Sequence, residues 1–399
     1  MRSIGVVTGA RSDYGIYVPI LRKICTDPEL ELRLFVTGMH LSEEHGMTVK
    51  VIESDGFPIA ERVDIELSAD TPEGIARSMG LGVVGFSQVY ARKKPDLLLV
   101  LGDRFEILAA VAAALPFLIP VAHIAGGDLT EGAIDDAMRH AITKMSHLHF
   151  VTTEAARARV LQMGEESWRI HVTGDPGLDH IPALELLGRE ALEQLFGMKL
   201  EPSPMLVTLH PETLDYQRTS HHVQELLAAL DSIKMPIVFT APNADTAGRE
   251  IREAIERFVA SRANTRLVVN LGTQAYFSMM KLAAVMVGNS SSGIIEAASF
   301  ALPVVNIGDR QRGRVHAQNV LHVPAERGAI SAAIKQVLAP EFRKSLRGIR
   351  NPYGDGHAAS RIVDVLKRAA LDQLVHKKFS DLTALPVSRI DADGRSIVK

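Results

Sequence analysis

Short apolar runs rich in β-branched residues recur along the first half of the chain, and each is followed by Gly, Thr, Asp or His and then by a helical pattern. Near-continuous apolar strands that alternate with helices are typical of a parallel sheet covered on both faces. The strands predicted in this half are residues 4–7, 32–36, 97–101, 120–124, 148–151 and 170–172. The pattern therefore predicts one doubly wound α/β domain.

A second series with the same rhythm follows a helical stretch at residues 184–196 and a Pro-Ser-Pro break at 202–204. Its predicted strands are residues 205–209, 236–240, 267–270, 284–287 and 303–307. The fold class we expect is therefore α/β, with two Rossmann-like doubly wound domains that face a cleft.

The boundaries follow from turn chemistry and from the change in composition near the end of the chain. Strong turn residues at 174–177 indicate the link, which gives domains of residues 1–178 and 179–356. We expect a helix within residues 357–375 to return to the first domain. The polar residues 376–399 are expected to form a loosely held tail.

Composition supports a folded protein and excludes several classes of partner. The chain has 399 residues, more than one hydrophobic core usually serves, and its net charge of −3 provides no basic field for nucleic acid or an anionic membrane. Its one cysteine, Cys25, excludes an internal disulfide framework and a cysteine metal cluster. The chain enters its first strand without a signal-peptide pattern, and no run of 18 apolar residues occurs. We therefore expect a cytoplasmic protein without nucleic-acid or membrane partners.

Ligands of open α/β sheets bind beyond the carboxyl ends of the strands, so the polar residues after each apolar run are the candidates. The first such loop is residues 8–15, where glycines allow a tight turn and Arg11 can reach an anion such as a diphosphate. An ordinary strand-to-helix turn explains it equally well. The loop is neither a GxGxxG fingerprint nor a Walker A loop, so neither a nicotinamide cofactor nor ATP is predicted.

Carboxylates follow two neighbouring strands of the first half. Asp103 lies two residues after the apolar run at 97–101, where it is either an active-site acid or a helix cap. The loop and helix start at residues 123–140 contain Asp128, Glu131 and Asp135. Like charges crowded in a water-poor cleft raise one another's pKa, which suits proton exchange near neutrality. The structural alternative is that Asp135 and Asp136 cap the following helix and pair with Arg139. No metal-site spacing occurs, so no metal is predicted.

The second half carries a histidine and a small-residue loop at equivalent places. His210 follows the first strand, where it is either structural or directed at the cleft. In residues 288–297, Ser290 and Ser291 precede a helix and can build an anion cradle, and Glu296 on the first turn can receive ribose hydroxyls. A serine-rich helix cap is the alternative. Arg310 follows in a turn with three arginines, which can serve phosphate or lie in solvent.

Together these motifs resemble the hydrolysing UDP-N-acetylglucosamine 2-epimerase family, in particular the branch that supplies sugars for sialic or legionaminic acid synthesis. The resemblance covers about residues 4–370. The motifs that carry it are TGARSDYG at 8–15, GDR at 102–104, HIAGGDLTEGAIDDAMRHAITKMSHLHF at 123–150, HPET at 210–213, APNAD at 241–245, GNSSSGIIE at 288–296 and NIGDRQRGR at 306–314.

This resemblance implies the glycosyltransferase-B architecture, with no metal ion or nicotinamide cofactor and a homodimeric or homotetrameric assembly. It implies a UDP-sugar or GDP-sugar substrate, either a 2-acetamido or a 2,4-diacetamido sugar. The nucleoside diphosphate leaves by anti elimination across C1 and C2, and water adds to the resulting glycal to give the free manno-configured sugar. A C2 proton is not acidic until the C1–O bond loosens, so the departing diphosphate must be stabilised first.

Residue roles carry over by motif position. Asp103, Asp128, Glu131 and Asp135 become catalytic carboxylates, and His210 aids the leaving diphosphate. The implied nucleotide-binding residues are Arg11, Asn243, Asp245, Arg249, Ser290, Ser291, Glu296 and Arg310. One position departs from the pattern, because many members carry Glu where this chain has Ala125. The departure indicates a changed sugar, and Asp128 or Glu131 is expected to take the missing role.

Two other functions fit the same fold. A glycosyltransferase would share the diphosphate cradle but would require an acceptor, and the acid-rich loop at residues 123–140 favours elimination and hydration over transfer. A silent sugar-nucleotide sensor would keep the serine and arginine cradle and lose carboxylates. The missing acid at Ala125 is the feature that keeps the sensor in consideration.

Overall fold

Seven parallel strands form the first sheet in the part of the chain described by the computed structural model, which comprises residues 1–43, 46–65, 72–131, 134–212, 216–241, 248–269, 271–381, 389–390 and 396–397. The spatial order is β3-β2-β1-β4-β5-β6-β7. The strands are β1 (Arg2–Thr8), β2 (Leu30–Thr37), β3 (Ile59–Val63), β4 (Leu97–Leu101), β5 (Val121–Ile124), β6 (Leu148–Val151) and β7 (Ile170–Val172).

Helices cover both faces of this sheet, as continuous apolar strands require. The helices that precede the second sheet in the chain are α1 (Arg11–Thr26), α2 (Val49–Ser54), α3 (Pro72–Lys93), α4 (Phe105–Ala114), α5 (Asp135–Met145), α6 (Glu154–Gln162), α7 (His180–Ala183) and α8 (Arg189–Phe196). Of these, α8 buries Leu192 and Phe196 in a core of the second sheet. On one face α1 buries Ile20 and Ile24 against the sheet. On the other face α3 and α4 bury Phe86 and Ile107.

The second sheet repeats this plan with the order β10-β9-β8-β11-β12-β13, and all of its described pairings are parallel. Its strands are β8 (Met205–Thr208), β9 (Ile237–Thr240), β10 (Thr265–Val268), β11 (Val285–Gly288), β12 (Val304–Ile307) and β13 (Val320–Val323). The helices are α9 (Thr219–Leu230), α10 (Gly248–Ala260), α11 (Gly272–Leu282), α12 (Ser291–Ile295), α13 (Arg327–Leu338) and α14 (Pro340–Ser345).

In the two large sheets, the two described strands that the hydrophobic pattern did not predict lie at sheet edges. β3 carries Glu61 and Arg62 within five residues, and β13 exposes His322. An edge strand is solvated along one side, so it tolerates charges that interrupt an apolar run. β10 begins at Thr265, earlier than predicted, because the buried Thr265 already pairs with Ile237 of β9.

After the second sheet, helix α15 (Ala358–Arg368) packs back onto the first sheet, followed by α16 (Leu371–Leu374). Ile362 and Leu366 are fully buried in the core that also contains α1. Asp179, in the segment after β7, receives the backbone N–H groups of Ala358 and Ala359 at 2.9 and 2.7 Å. These bonds satisfy two unpaired donors at the start of α15 and tie it to the segment where the chain passes between the sheets.

The polar end of the chain is bound where it leaves α16, so the expectation of a loose tail is wrong for these residues. The Lys377 ammonium lies 2.9 Å from the buried Glu165 carboxylate and donates to the carbonyls of Lys144 and Ser146 at 2.6 and 2.7 Å. Phe379 covers the Lys144 ammonium. Further on, β14 (Arg389–Ile390) and β15 (Ser396–Ile397) form a short antiparallel pair.

No helix among the described residues combines the length and apolar character that crossing a membrane requires.

Candidate active site

The loops singled out from the sequence all follow the carboxyl ends of parallel strands. In the first sheet they follow β1, β4 and β5, and in the second they follow β8, β9, β11 and β12. The carboxyl edge of each sheet therefore collects the candidate residues, in agreement with the general position of ligands in such folds.

Asp13, a residue that the sequence did not single out, organises the loop after β1. Its carboxylate is buried and accepts the backbone N–H groups of Gly9 and Ala10, both at 2.9 Å, and the Thr8 hydroxyl at 3.1 Å. Arg11 is the first residue of α1 and is exposed beside these bonds. The spacing of an acid three residues into a helix was a usable indication of this cap.

Arg139 and Asp103 form the central ion pair of the acid-rich loop. Arg139 lies on the second turn of α5, is buried, and its Nη2 donates to the Asp103 carboxylate. It also donates to the carbonyl of Ala125 at 3.0 Å and to the Thr130 hydroxyl at 3.1 Å. The structural alternative paired Arg139 with Asp135 and Asp136, but its hydrogen bonds go to Asp103, Ala125 and Thr130. Asp136 instead accepts the Thr130 N–H at 2.6 Å.

The remaining carboxylates of this loop differ in their surroundings. Burial, and next the charge of Asp103, raise the pKa of Asp135 at the start of α5. Asp128 accepts the Thr152 hydroxyl at 2.7 Å. Glu131 is 49% exposed and lies 4.0 Å from Arg312, which belongs to the second half of the chain. The structure thus places Asp103 and Asp135 together, with Glu131 on the side toward the second sheet.

His210 is buried after β8. Its backbone N–H donates to the Asn289 side-chain oxygen at 2.7 Å, and its carbonyl receives the Asn289 amide at 2.9 Å. Burial and the charge of Arg310 lower the pKa of His210 to about 3. The imidazole is therefore neutral near neutral pH, where it can act as a hydrogen-bond donor and not as a cation.

The cradle around Asn289 joins the loops after β11 and β12. Ser290 begins α12 as its N-cap and accepts the Ser292 N–H at 3.3 Å, with Ser291 next to it. Arg310 and Gln311 both donate to the Asn289 carbonyl, at 3.2 and 2.8 Å. Hydroxyls, backbone N–H groups and a guanidinium gathered in this way suit a diphosphate.

Glu296 is largely buried at the end of α12, and its Oε2 has no hydrogen-bond partner among the described residues. Burial, and next the charge of Asp175, raise its pKa to about 7. Burial also raises the pKa of Asp175 to about 6. Burial raises the pKa of Tyr276, and the nearby Glu296 carboxylate raises it further. Asp175 and Tyr276 were missed, because they come from segments far from Glu296 in sequence.

The third set of nucleotide candidates lies after β9. Arg249 is the second residue of α10 and is exposed. Asn243 and Asp245 lie outside the described residues.

Arg314 connects the two halves across the cleft. From the turn after β12 its Nε donates to the Leu129 carbonyl at 3.1 Å and its Nη2 donates to the Thr130 hydroxyl at 3.4 Å. Gly313, with a φ of +79°, allows this approach, since a Cβ there would stand 2.9 Å from a Glu131 oxygen. The acid-rich loop and the cradle turn are thus in direct contact.

Comparisons with known proteins agree with the sequence motifs and the fold. A family model described as UDP-N-acetylglucosamine 2-epimerase matches residues 22–367. The chain is 38% identical over 384 residues to a GDP/UDP-N,N'-diacetylbacillosamine 2-epimerase (hydrolyzing) of Campylobacter jejuni, covering 96% of this chain and 99% of that one. A UDP-N,N'-diacetylbacillosamine 2-epimerase (hydrolyzing) of Legionella pneumophila is 36% identical and covers 95% and 99%.

Among solved structures, the fold is similar to that of a UDP-GlcNAc 2-epimerase from Neisseria meningitidis bound to UDP-GlcNAc. The TM-score is 0.81 at 22% identity, and the match covers 92% of this chain and 100% of that one. The α/β class with two facing Rossmann-like domains is confirmed.

Proposed function

The chain belongs to the UDP-N-acetylglucosamine 2-epimerase family and is a hydrolysing 2-epimerase of sugar nucleotides, and we propose that its substrate is a UDP- or GDP-linked 2,4-diacetamido sugar of the N,N'-diacetylbacillosamine type. The observation that carries this choice is the identity of 38% and 36% over nearly the full length to relatives named for that sugar. A relative named UDP-N-acetylglucosamine 2-epimerase is 31% identical over 336 residues.

Ala125 supports a sugar other than UDP-N-acetylglucosamine. It stands where the motif resemblance leads us to expect Glu, and its φ of +61° turns the chain sharply after β5. Its carbonyl is held by Arg139. The acid set that can face a sugar is therefore Asp103, Asp128 and Asp135, with Glu131 at its edge.

Inversion at C2 requires that the proton leaves from one face of the sugar and returns to the other. In the first step the C1–O bond breaks with its electron pair on the diphosphate, and the electrons of the C2–H bond form the C1=C2 bond. We assign the proton-accepting role to Asp103, which is held in its ion pair with Arg139. In the second step water adds to C1 and C2 takes a proton, which Asp135, with its raised pKa, is suited to supply.

The second half holds the leaving group in this proposal. Ser290, Ser291 and Arg310 receive the diphosphate, Arg11 reaches it from the first half, and Glu296 receives the ribose hydroxyls. Neutral His210 donates a hydrogen bond to the departing oxygens. Arg249, Asn243 and Asp245 complete the nucleotide side. The geometry around Asn289 supports this assignment, because it brings Arg310 beside the start of α12.

The test is turnover without any acceptor. The protein is incubated with UDP- and GDP-linked N,N'-diacetylbacillosamine and with UDP-N-acetylglucosamine in deuterated water, and proton NMR follows the products. We expect stoichiometric nucleoside diphosphate and a free sugar inverted at C2 with one deuterium there, formed faster from the diacetamido substrate. A product that retains the original C2 configuration, or faster turnover of UDP-N-acetylglucosamine, contradicts the proposal. A requirement for an acceptor indicates a glycosyltransferase.

The proposal includes the homodimer or homotetramer and the cytoplasmic location expected from the sequence. Light scattering coupled to size-exclusion chromatography measures the assembly directly.

A further inference from the structure

The turn that follows β12 contacts both halves of the candidate site. At one end, Arg310 and Gln311 donate to the carbonyl of Asn289, next to the Ser290 cap. At the other end, Arg314 donates to Leu129 and Thr130 of the acid-rich loop. One short, glycine-containing turn therefore touches the anion cradle and the carboxylate loop at the same time.

The Thr130 hydroxyl is shared by two arginines that come from different halves of the chain. Arg314 Nη2 donates to it at 3.4 Å and Arg139 Nη2 donates to it at 3.1 Å. A hydroxyl oxygen has two accepting lone pairs, so these two contacts use its full accepting capacity. The backbone N–H of Thr130 is held in turn by Asp136 at 2.6 Å. Its position is fixed from three directions.

Arg139 connects Thr130 to the Asp103 carboxylate. The same Nη2 that donates to Thr130 also donates to the Asp103 carboxylate, and Nη1 is held by the Ala125 carbonyl. Arg139 is buried, so moving its guanidinium would strip hydrogen bonds from a charge shielded from water, which is costly. If Thr130 moves, Arg139 is therefore expected to move with it and to displace the Asp103 carboxylate, because water cannot replace the lost hydrogen bonds.

We propose that Arg314 is a positioning residue for the reaction, which sets the Asp103 carboxylate through Thr130 and Arg139 when the two halves of the site are together. It touches neither substrate nor the reacting atoms in this role. The inference rests on the proposed function for its kinetic readout, and it deepens that function. The turn that holds the diphosphate also orders the acid, so nucleotide loading and acid placement are coupled.

The direct test replaces Arg314 with Lys, which keeps the charge but has a single donor nitrogen where the guanidinium uses Nε for Leu129 and Nη2 for Thr130. We expect kcat to fall about 10- to 100-fold, because a displacement of about 1 Å at a reacting group costs that much. The KM and the dissociation constant for UDP should change less than about threefold. The matched control is Arg312→Lys in the same turn, since Arg312 is 70% exposed and its ion pairs with Glu131 and Asp309 are both as long as 4.0 Å; it should retain wild-type kcat.

A second variant tests the middle of the chain of contacts. Thr130→Val keeps the side-chain shape and removes the hydroxyl, and it should lower kcat as Arg314→Lys does. Thr130→Ser restores an accepting oxygen and should recover most of the loss. The double variant Arg314→Lys/Thr130→Val should be no slower than the worse single variant, because residues acting in one series are not additive. Multiplicative losses, or losses in UDP affinity alone, overturn the proposal.

An activity-independent readout separates this proposal from the proposed function. Amide hydrogen exchange of residues 125–131 should be faster in Arg314→Lys than in wild type or Arg312→Lys. If the wild type turns over no sugar nucleotide, the proposed function is wrong. The exchange result still shows whether Arg314 orders residues 125–131. Unchanged exchange in Arg314→Lys overturns the positioning role in either case.

Discussion

Arg139 donates to Asp103 across 36 positions of sequence, from the second turn of α5 to the end of β4. The pair joins the loop after β4 to the helix that follows β5, at the carboxyl edge of the sheet, where parallel α/β folds bind their ligands. The guanidinium is buried and is also bound to Ala125 and Thr130. Because these bonds hold the guanidinium, they also hold the Asp103 carboxylate in place. This is the structural reason to propose Asp103 as the group that accepts the C2 proton.

Asp103→Asn should strongly reduce turnover while leaving the nucleotide bound. The amide keeps the size of the side chain and can still accept from Arg139, but it cannot take a proton. General acid or base groups contribute about 10²- to 10⁴-fold to rate, and we expect kcat to fall within that range. Isothermal titration with UDP should give an unchanged affinity. A variant that keeps more than about half of wild-type kcat shows that another carboxylate is the base.

Arg310→Ala should give the opposite pattern, with weaker nucleotide affinity. Its guanidinium lies beside Asn289 and Ser290, and a charge-assisted hydrogen bond to phosphate is worth about 1.5–3 kcal/mol. UDP titration should therefore show a dissociation constant raised about 10- to 100-fold. Arg312→Ala, an exposed neighbour, serves as the control. An unchanged UDP titration for Arg310→Ala means that the diphosphate binds elsewhere.

The buried carboxylate of Glu296 predicts a pH-dependent stability. Its pKa is raised from an ordinary 4.5 to about 7, so the folded protein holds a proton that the unfolded chain has already lost in that range. The associated stability is fully present below about pH 4.5 and is lost as pH rises through about 7, a difference of about 3 kcal/mol.

Glu296→Gln removes this titration and should raise the free energy of unfolding at pH 8 more than at pH 5. Urea unfolding at both pH values measures the difference. The neighbouring Asp175, with a pKa raised to about 6, titrates in the same window, so Asp175→Asn provides the comparison. Equal gains at the two pH values would show that Glu296 is already ionised in the folded protein at pH 5.

Hydrophobic pattern was sufficient to predict the fold class, because buried parallel strands such as β4 and β8 are apolar throughout. It failed at the edge strands β3 and β13, where solvent permits charge. The motif resemblance to the 2-epimerase family is confirmed by the family model and the full-length relatives. The order of the motifs identifies the family because each motif follows the end of a different strand.

Pairings between distant segments could not be predicted from single motifs. Arg139 lies next to Asp135 and Asp136 in sequence, yet it pairs with Asp103, since the α5 turn directs it toward β4. The charge of Asp175 contributes to the raised pKa of Glu296, although the two residues lie far apart in sequence. The bond from Arg314 to Thr130 joins the loops after β12 and β5. Such contacts depend on how the two sheets face each other, which local sequence does not encode.

The bound start of the C-terminal segment predicts that Lys377 contributes to stability and not to chemistry. Its ammonium contacts the buried Glu165 carboxylate, which also receives Lys144 at 2.8 Å and lies 3.0 Å from a ring nitrogen of His149. Lys377→Ala should lower the free energy of unfolding by about 1–3 kcal/mol, because it removes hydrogen bonds to a buried charge. Lys378→Ala, at the exposed neighbouring position, should change it by less than about 0.5 kcal/mol. Urea unfolding of both variants measures the difference, and kcat per folded molecule should be the same in both. Equal stability of the two variants would mean that hydrogen bonds from Lys144 and His149 are sufficient for the buried Glu165 carboxylate. Residues 376–380 would then lie on the surface without contributing to the free energy of unfolding.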